Sequence, residues 1–186
     1  MVKIPTDLWV PALMKPKETF SKANKGKAVS LGDAAIVVGA AGLISGLIGA
    51  LTNSKVGLVE GVIGGAIGGI IGSMVFAGLV WGMAKVLGGK GEYGRQYYLY
   101  SLFGAPVTVI NSVLGLVPFI GGLLSGLLSL YMLYPLTVSI KEVHKLDTVK
   151  AVLAWLVPVI IIAVILALVG AAIATMMLAS GTFPGQ

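Results

Sequence analysis

The chain has no cysteine, so disulfides and cysteine-held zinc or iron–sulfur centres are excluded. It has one histidine, His144. With Glu142 and Asp147 in the same short loop, that histidine is too little to assemble three metal ligands. Charge is scarce as well: 11% of residues are charged, where soluble domains carry about 25%. No GxxxxGK[ST] run is present. The GxGxxG pattern at 89–94 joins two hydrophobic stretches rather than a strand and a helix, so it has no dinucleotide-binding meaning. Ser45, Ser73, Ser112, Ser125 and Ser129 lie inside apolar stretches, with His144 in a charged connector at their end rather than buried beside one of them, so no nucleophile has a base. These absences remove the constellations an enzyme needs. No catalytic residue, cofactor or metal is expected.

What the chain has is apolar length. Its 186 residues are 57% hydrophobic, with a mean hydropathy of +1.00. A soluble protein of this size has too little interior for so many apolar side chains, so lipid must be the solvent for much of the chain. Residues 34–53 are uncharged and long enough to span about 30 Å of hydrocarbon, with Ser30 and Asp33 placed to cap the helix start. Residues 61–84 form a second such stretch, closed by Lys85 and the glycine-rich 88–91. Residues 96–140 carry no charge, and as one helix would run ~68 Å, twice a bilayer. That stretch must reverse, and Pro118, Phe119, Ile120, Gly121 and Gly122 are the place for it. A last uncharged run follows Lys150 and contains Pro158. The reading is an all-α integral membrane protein, a bundle of five transmembrane helices at about 31–53, 57–87, 96–117, 120–140 and 149–178. A basic cytoplasmic segment at 1–30 precedes it and a short external tail at 179–186 follows. No cleaved signal peptide is expected, because the first 30 residues are charged and broken by Pro5, Pro11 and Pro16.

Basic residues give the orientation. With five spans, the 1–30 segment holds six lysines, the 85–95 connector Lys85, Lys90 and Arg95, and the 141–150 connector Lys141, Lys145 and Lys150. The other side holds Lys55 alone. Basic residues favour the cytoplasm, so the N-terminus is placed inside and the C-terminus outside. The net charge of +6 is thereby a topology signal, and no nucleic-acid partner is expected. Trp81, Tyr93, Tyr97, Tyr98, Tyr100 and Trp155 fall near the basic face, as an interfacial aromatic belt would.

Small residues let helix backbones approach closely where no hydrophobic effect drives association. Gly42, Gly46, Gly57, Gly61, Gly64, Gly65, Gly68, Gly69 and Gly72 recur at four-residue spacings and are expected to pack the first two spans together. A homo-oligomer or a partner membrane protein could use the same residues. Thr108, Asn111, Tyr131 and Tyr134 are the candidate polar groups inside the membrane. They either satisfy carbonyls freed by Pro106 and Pro135 or line a small polar cavity. In the N-terminal segment Lys15, Lys17, Lys22, Lys25 and Lys27, with Trp9 and Phe20 between them, are expected to hold the chain against anionic lipid headgroups; the alternative is a mobile tail that only supplies inside-positive charge.

Three stretches carry a family likeness: MKPKETF at 14–20; LGGKG at 87–91 running on to Ala105, Pro106 and Val107; and Tyr134 through VSIKEVHKL at 138–146 to Lys150 and Ala151. Over residues 13–178 the chain resembles the Yip domain family, membrane proteins first named as interactors of Ypt/Rab GTPases, in its prokaryotic branch. The resemblance implies five spans, a cytoplasmic N-terminus and a C-terminus outside, and for a prokaryotic member the plasma membrane. For eukaryotic members it implies vesicle traffic, Rab binding and membrane shaping, but the long cytoplasmic N-terminal domain of those proteins has no counterpart in residues 1–30. The expected function is a non-catalytic scaffold or adaptor in membrane organisation. The alternative is a small-solute or ion transporter with a polar path near Asn111 and Tyr131.

Overall fold

The computed structural model describes residues 5–26 and 30–180. Lys27 and nearly all of the 179–186 tail therefore lie outside the described residues. Among these residues there is no strand. After a turn of 3-10 helix at Thr6–Leu8 come two short helices, α1 (Trp9–Met14) and α2 (Pro16–Lys25). Five long ones follow: α3 (Leu31–Thr52), α4 (Leu58–Val86), α5 (Tyr93–Leu114), α6 (Ile120–His144) and α7 (Thr148–Ser180).

Local chemistry sets the ends. Ser30 Oγ accepts from the Asp33 N–H at 3.0 Å, which starts α3, and Asp147 Oδ1 accepts from the Lys150 N–H at 2.9 Å, which starts α7. Gly88 takes φ +91° after α4, a conformation glycine adopts without cost. Lys145 takes φ +56° to end α6. Between α5 and α6 the chain reverses at 115–119, where Phe119 has φ +61°. Gly121 sits so close to the Leu114 carbonyl there that no Cβ fits.

Four of these helices, α3, α4, α6 and α7, are long and apolar enough to cross a membrane. The fifth, α5, has the length but carries Arg95, Gln96, Ser101 and four tyrosines in its first three turns. The reason is where it sits. It runs along α3 and against α6, and ten of its residues, Gln96 and Tyr97 among them, are buried. Its polar groups are solvated by protein rather than by lipid.

The longest interface joins α3 and α4. The N-terminal half of α7 packs on α4 and α6 through Ala151 and Ala154, both fully buried. From Val159 onward nearly all α7 side chains face outward. The large side chains on the outside of α3, α4, α6 and α7 are mostly leucine, isoleucine and valine, with glycine and alanine between them, as a lipid-facing surface allows. The chain is a membrane protein.

Candidate functional site

Two features of the sequence bear on function: the glycine-dense spans and the basic end. The glycines separate into two sets. A Cβ on Gly42 or Gly46 would run into the carbonyls of Gly65 and Gly61. A Cβ on Gly65 would come within 2.8 Å of the Gly46 Cα, and one on Gly61 within 2.8 Å of the Gly46 carbonyl. These four make a seam where two backbones touch. Gly69 makes ordinary contact, its Cβ position 3.6 Å from the Gly42 Cα.

Gly64, Gly68 and Gly72 are a correction to the expected packing set, for a Cβ on any of them meets nothing within 4 Å. The two stripes are one residue apart in register, so on a helix they lie ~100° apart and only one can face α3. Gly57 also leaves the set. It precedes α4 as its N-cap and neighbours only the Glu60 side chain.

The polar residues do not converge. Thr108 Oγ1 donates to the Gly104 carbonyl one turn back at 2.9 Å. Asn111 lines a recess between α3 and α5 with Ser45, Thr52 and Ser112, and Ser112 donates to Ser45 Oγ at 2.6 Å. Tyr131 and Tyr134 face outward with their rings tilted at 54° to each other, and the Tyr131 hydroxyl donates to the Leu13 carbonyl. A path near Asn111 and Tyr131 is thereby corrected: Asn111 faces α3, whereas Tyr131 binds the N-terminal segment.

The aromatic belt is corrected as well. Tyr97 is fully buried and Tyr98 nearly so. Rings run in a chain from Trp81 through Tyr93, Tyr97, Tyr100 and Phe103 to Phe20, with neighbouring centroids 5.3–6.3 Å apart. The polar atoms of Trp81, Tyr93 and Tyr97 are satisfied inside the protein. Ser73 Oγ and the Tyr97 hydroxyl share a hydrogen bond of 2.9 Å, the Tyr93 hydroxyl donates to the Met74 carbonyl at 2.9 Å, and Trp81 Nε1 donates to the Gly91 carbonyl at 3.1 Å.

At the basic end, one side-chain pair ties three helices together. Gln96 on α5 donates through Nε2 to the Ala77 carbonyl of α4 at 3.0 Å. Its Oε1 lies 2.6 Å from His144 Nε2 at the end of α6. Since Gln96 Oε1 can only accept, the imidazole carries its proton on Nε2. His144 is buried and engaged in structure, and no group of three metal-ligating side chains occurs among the described residues. Gly89 lies against the ring, where a Cβ would come 2.6 Å from Nδ1. The Lys90 N–H donates to the His144 carbonyl at 3.3 Å. The α4–α5 and α6–α7 connectors therefore meet.

Gln96 was not singled out from sequence; the one available signal was an amide placed at the head of an uncharged run. Gln96→Leu should cost about 1–3 kcal/mol by leaving the buried imidazole N–H without an acceptor. In a double-mutant cycle with His144→Phe the losses should be clearly less than additive. Additive losses in thermal unfolding would show that the two side chains do not act together.

The N-terminal segment joins this end. Asn24 Nδ2 donates to the Glu142 carbonyl at 3.0 Å and lies 3.4 Å from Glu142 Oε1. Arg95 donates to the carbonyls of Ala23 and Gly26 at 3.3 and 3.2 Å. Phe20 is fully buried, its ring 5.7 Å from that of Phe103. Lys15, Lys17, Lys22 and Lys25 remain exposed. Trp9 is a correction: it packs against the cluster of Val37, Ala41 and Ala105, with its Nε1 buried, and so is no headgroup anchor. Trp9 and Phe20 turn inward because α5 and its neighbours offer them apolar grooves.

A family model, the Yip1 domain, matches residues 12–178. No curated protein and no solved structure matches the chain.

Proposed function

The chain belongs to the Yip1 domain family, and from that premise we propose a non-catalytic scaffold or adaptor for membrane organisation. It has five spans, a cytoplasmic N-terminus, an external C-terminus and a basic cytoplasmic face. One observation carries the reading: the three basic segments interlock. The N-terminal helices bond to Glu142 and Arg95, and the α4–α5 connector bonds to His144. Lys55 lies in the α3–α4 turn, at the other end of that hairpin. Segregation of this kind is what the preference of basic residues for the cytoplasm predicts.

The fifth span is α5. It starts beside the basic connectors and reaches the level of Ser45, two turns short of the α3 terminus, through Ser112. Its 22 residues cover ~33 Å, a hydrocarbon thickness. The plasma membrane is the setting this reading favours if the chain is prokaryotic. Anionic headgroups are the first partner it offers the basic face. A second copy of the chain or another membrane protein would complete a scaffold, and co-purification from native membranes would identify it. The dispersed positions of Asn111 and Tyr131 give transport no support.

Cysteine accessibility tests the topology cleanly, because the chain has no cysteine of its own. Lys90→Cys and Lys145→Cys should react with an impermeant maleimide only from the cytoplasmic side, and Ser54→Cys and Gly185→Cys only from outside. Cytoplasmic labelling of Gly185→Cys would overturn the odd number of spans.

A further inference from the structure

Between α2 and the end of α6 lies an open cavity of about 540 Å³, lined by Lys17, Ser21, Val138, Lys141, Glu142, Lys145 and Leu146. It is more basic than the other recess along α2, which Lys15, Glu18 and Lys22 line. Three ammonium groups and one carboxylate surround it, leaving a local charge of +2, and Val138 and Leu146, both buried, give it an apolar floor. Helix geometry builds it. Lys17 and Ser21 are one turn apart on α2 and share a face, and Lys141 lies in the last turn of α6, whose left-handed C-cap is Lys145.

The single carboxylate is already engaged. Glu142 Oε1 accepts from Lys145 Nζ at 3.0 Å and lies 3.4 Å from Asn24 Nδ2. Lys141 Nζ donates to the Thr148 hydroxyl, which leaves the ammonium two further protons. Lys17 Nζ and Ser21 Oγ have no partner among the described residues. The cavity therefore offers spare donors, from three ammoniums and a hydroxyl, to an anion with several acceptor oxygens. A phosphate group has that chemistry. Position narrows its source. The uncharged stretch of α6 ends at Ile140, so Lys141 and Lys145 stand where the hydrocarbon gives way to headgroups, with the apolar floor beneath them.

We propose that this cavity is a binding site for the phosphate group of an anionic lipid on the cytoplasmic leaflet. The proposal rests on the anionic-surface reading above and sharpens it from a diffuse attraction to one site. Because Lys17 and Ser21 come from α2 while Lys141 and Lys145 come from the last turn and cap of α6, an occupied site clamps the N-terminal helices onto the bundle.

The full chain in phosphatidylcholine nanodiscs, titrated with phosphatidic acid and followed by the rise in thermal stability and by native mass spectrometry, tests this. The variant K17Q/K141Q/K145Q should weaken the phosphatidic-acid response about tenfold or more. A control of equal charge loss, K15Q/K22Q/K25Q, should weaken it less than about threefold, since those lysines lie outside the cavity. Ser21→Glu, which keeps every lysine and adds a carboxylate at the cavity wall, should behave like the first variant. Equal losses in both lysine variants would overturn the site while leaving a diffuse anionic surface. No preference of the wild type for phosphatidic acid over phosphatidylcholine would overturn the surface reading and the site together. Inorganic phosphate displacing the lipid at the lipid's own concentration would overturn the lipid source and assign the cavity to a free anion.

Discussion

Gly65→Leu is expected to destabilise the bundle by at least ~1–3 kcal/mol, whereas Gly68→Leu, three residues on in the same helix, should leave its stability near that of the wild type. The difference lies in what a side chain would meet. A Cβ on Gly65 would run into the Gly42 carbonyl and lie 2.8 Å from the Gly46 Cα and 3.1 Å from the Gly46 nitrogen. Backbone cannot swing aside as the end of a flexible side chain can. The α3 and α4 axes must part, and the dispersion contacts along the whole seam weaken together. At Gly68 a Cβ meets nothing within 4 Å. A leucine there covers the open recess formed with Val38, Tyr100 and Thr108, or points to lipid. Thermal unfolding of both variants in the same detergent checks this. Similar midpoints for the two would mean that the glycine seam does not hold α3 to α4. Gly46→Leu offers a second reading of the same contact from the α3 side.

This pair of glycines also marks how far the sequence could be read. Four-residue spacing shows that a helix carries small residues in stripes, and α4 carries two, 61/65/69 and 64/68/72. Spacing alone cannot say which stripe has a partner; that depends on where α3 lies. The apolar helices α3, α4, α6 and α7 were legible because burial in lipid demands unbroken hydrophobic length, and length is local information. That the chain reverses was legible for the same reason, since 45 uncharged residues cannot be one span. The turn lies at 115–119 rather than at the expected 118–122, and Gly121 and Gly122 open α6 instead. The opening turns of α5 misled in one respect. Tyrosines near a basic connector suggest a lipid interface, yet Tyr97 and Tyr98 are solvated by other helices. Nothing local distinguishes a tyrosine that meets headgroups from one that meets Ser73.

The N-terminal segment was the least legible part, because its fate is decided by a groove made elsewhere. A run with lysines at 15, 17, 22 and 25 and scattered apolar residues has the composition of a surface tether. In the fold the lysines stay out, while Ala12 and Phe20 become fully buried and Trp9 packs against α3 and α5. The Tyr131 hydroxyl binds the Leu13 carbonyl, whereas Asn24 binds at Glu142. Those two points on α6 are eleven residues apart, ~16 Å along the helix. The turn between α1 and α2 thus reaches well down the side of the bundle, and the segment is a docked hairpin.

Removing its main anchor should therefore undock it. Phe20→Ala deletes a fully buried ring that touches Phe103, a truncation that costs about 3–5 kcal/mol in a core that keeps its shape. The loss cannot exceed the free energy that docks the hairpin, so release of α1 and α2 is the expected result, with α3 to α7 still folded. Ala12→Cys reports it: Ala12 is fully buried, and cysteine is small enough to replace it with little disturbance. In detergent, Ala12→Cys should react slowly with a water-soluble maleimide in the parent chain. It should react at least tenfold faster once Phe20→Ala is added, since reactivity follows the fraction of time spent open. The global melting midpoint should move much less than the labelling rate. If Ala12→Cys labels equally fast with and without Phe20, the hairpin is not held by this contact. If the midpoint falls as far as the labelling rate predicts, the hairpin is an integral part of the bundle, and losing it unfolds α5 and α6 as well.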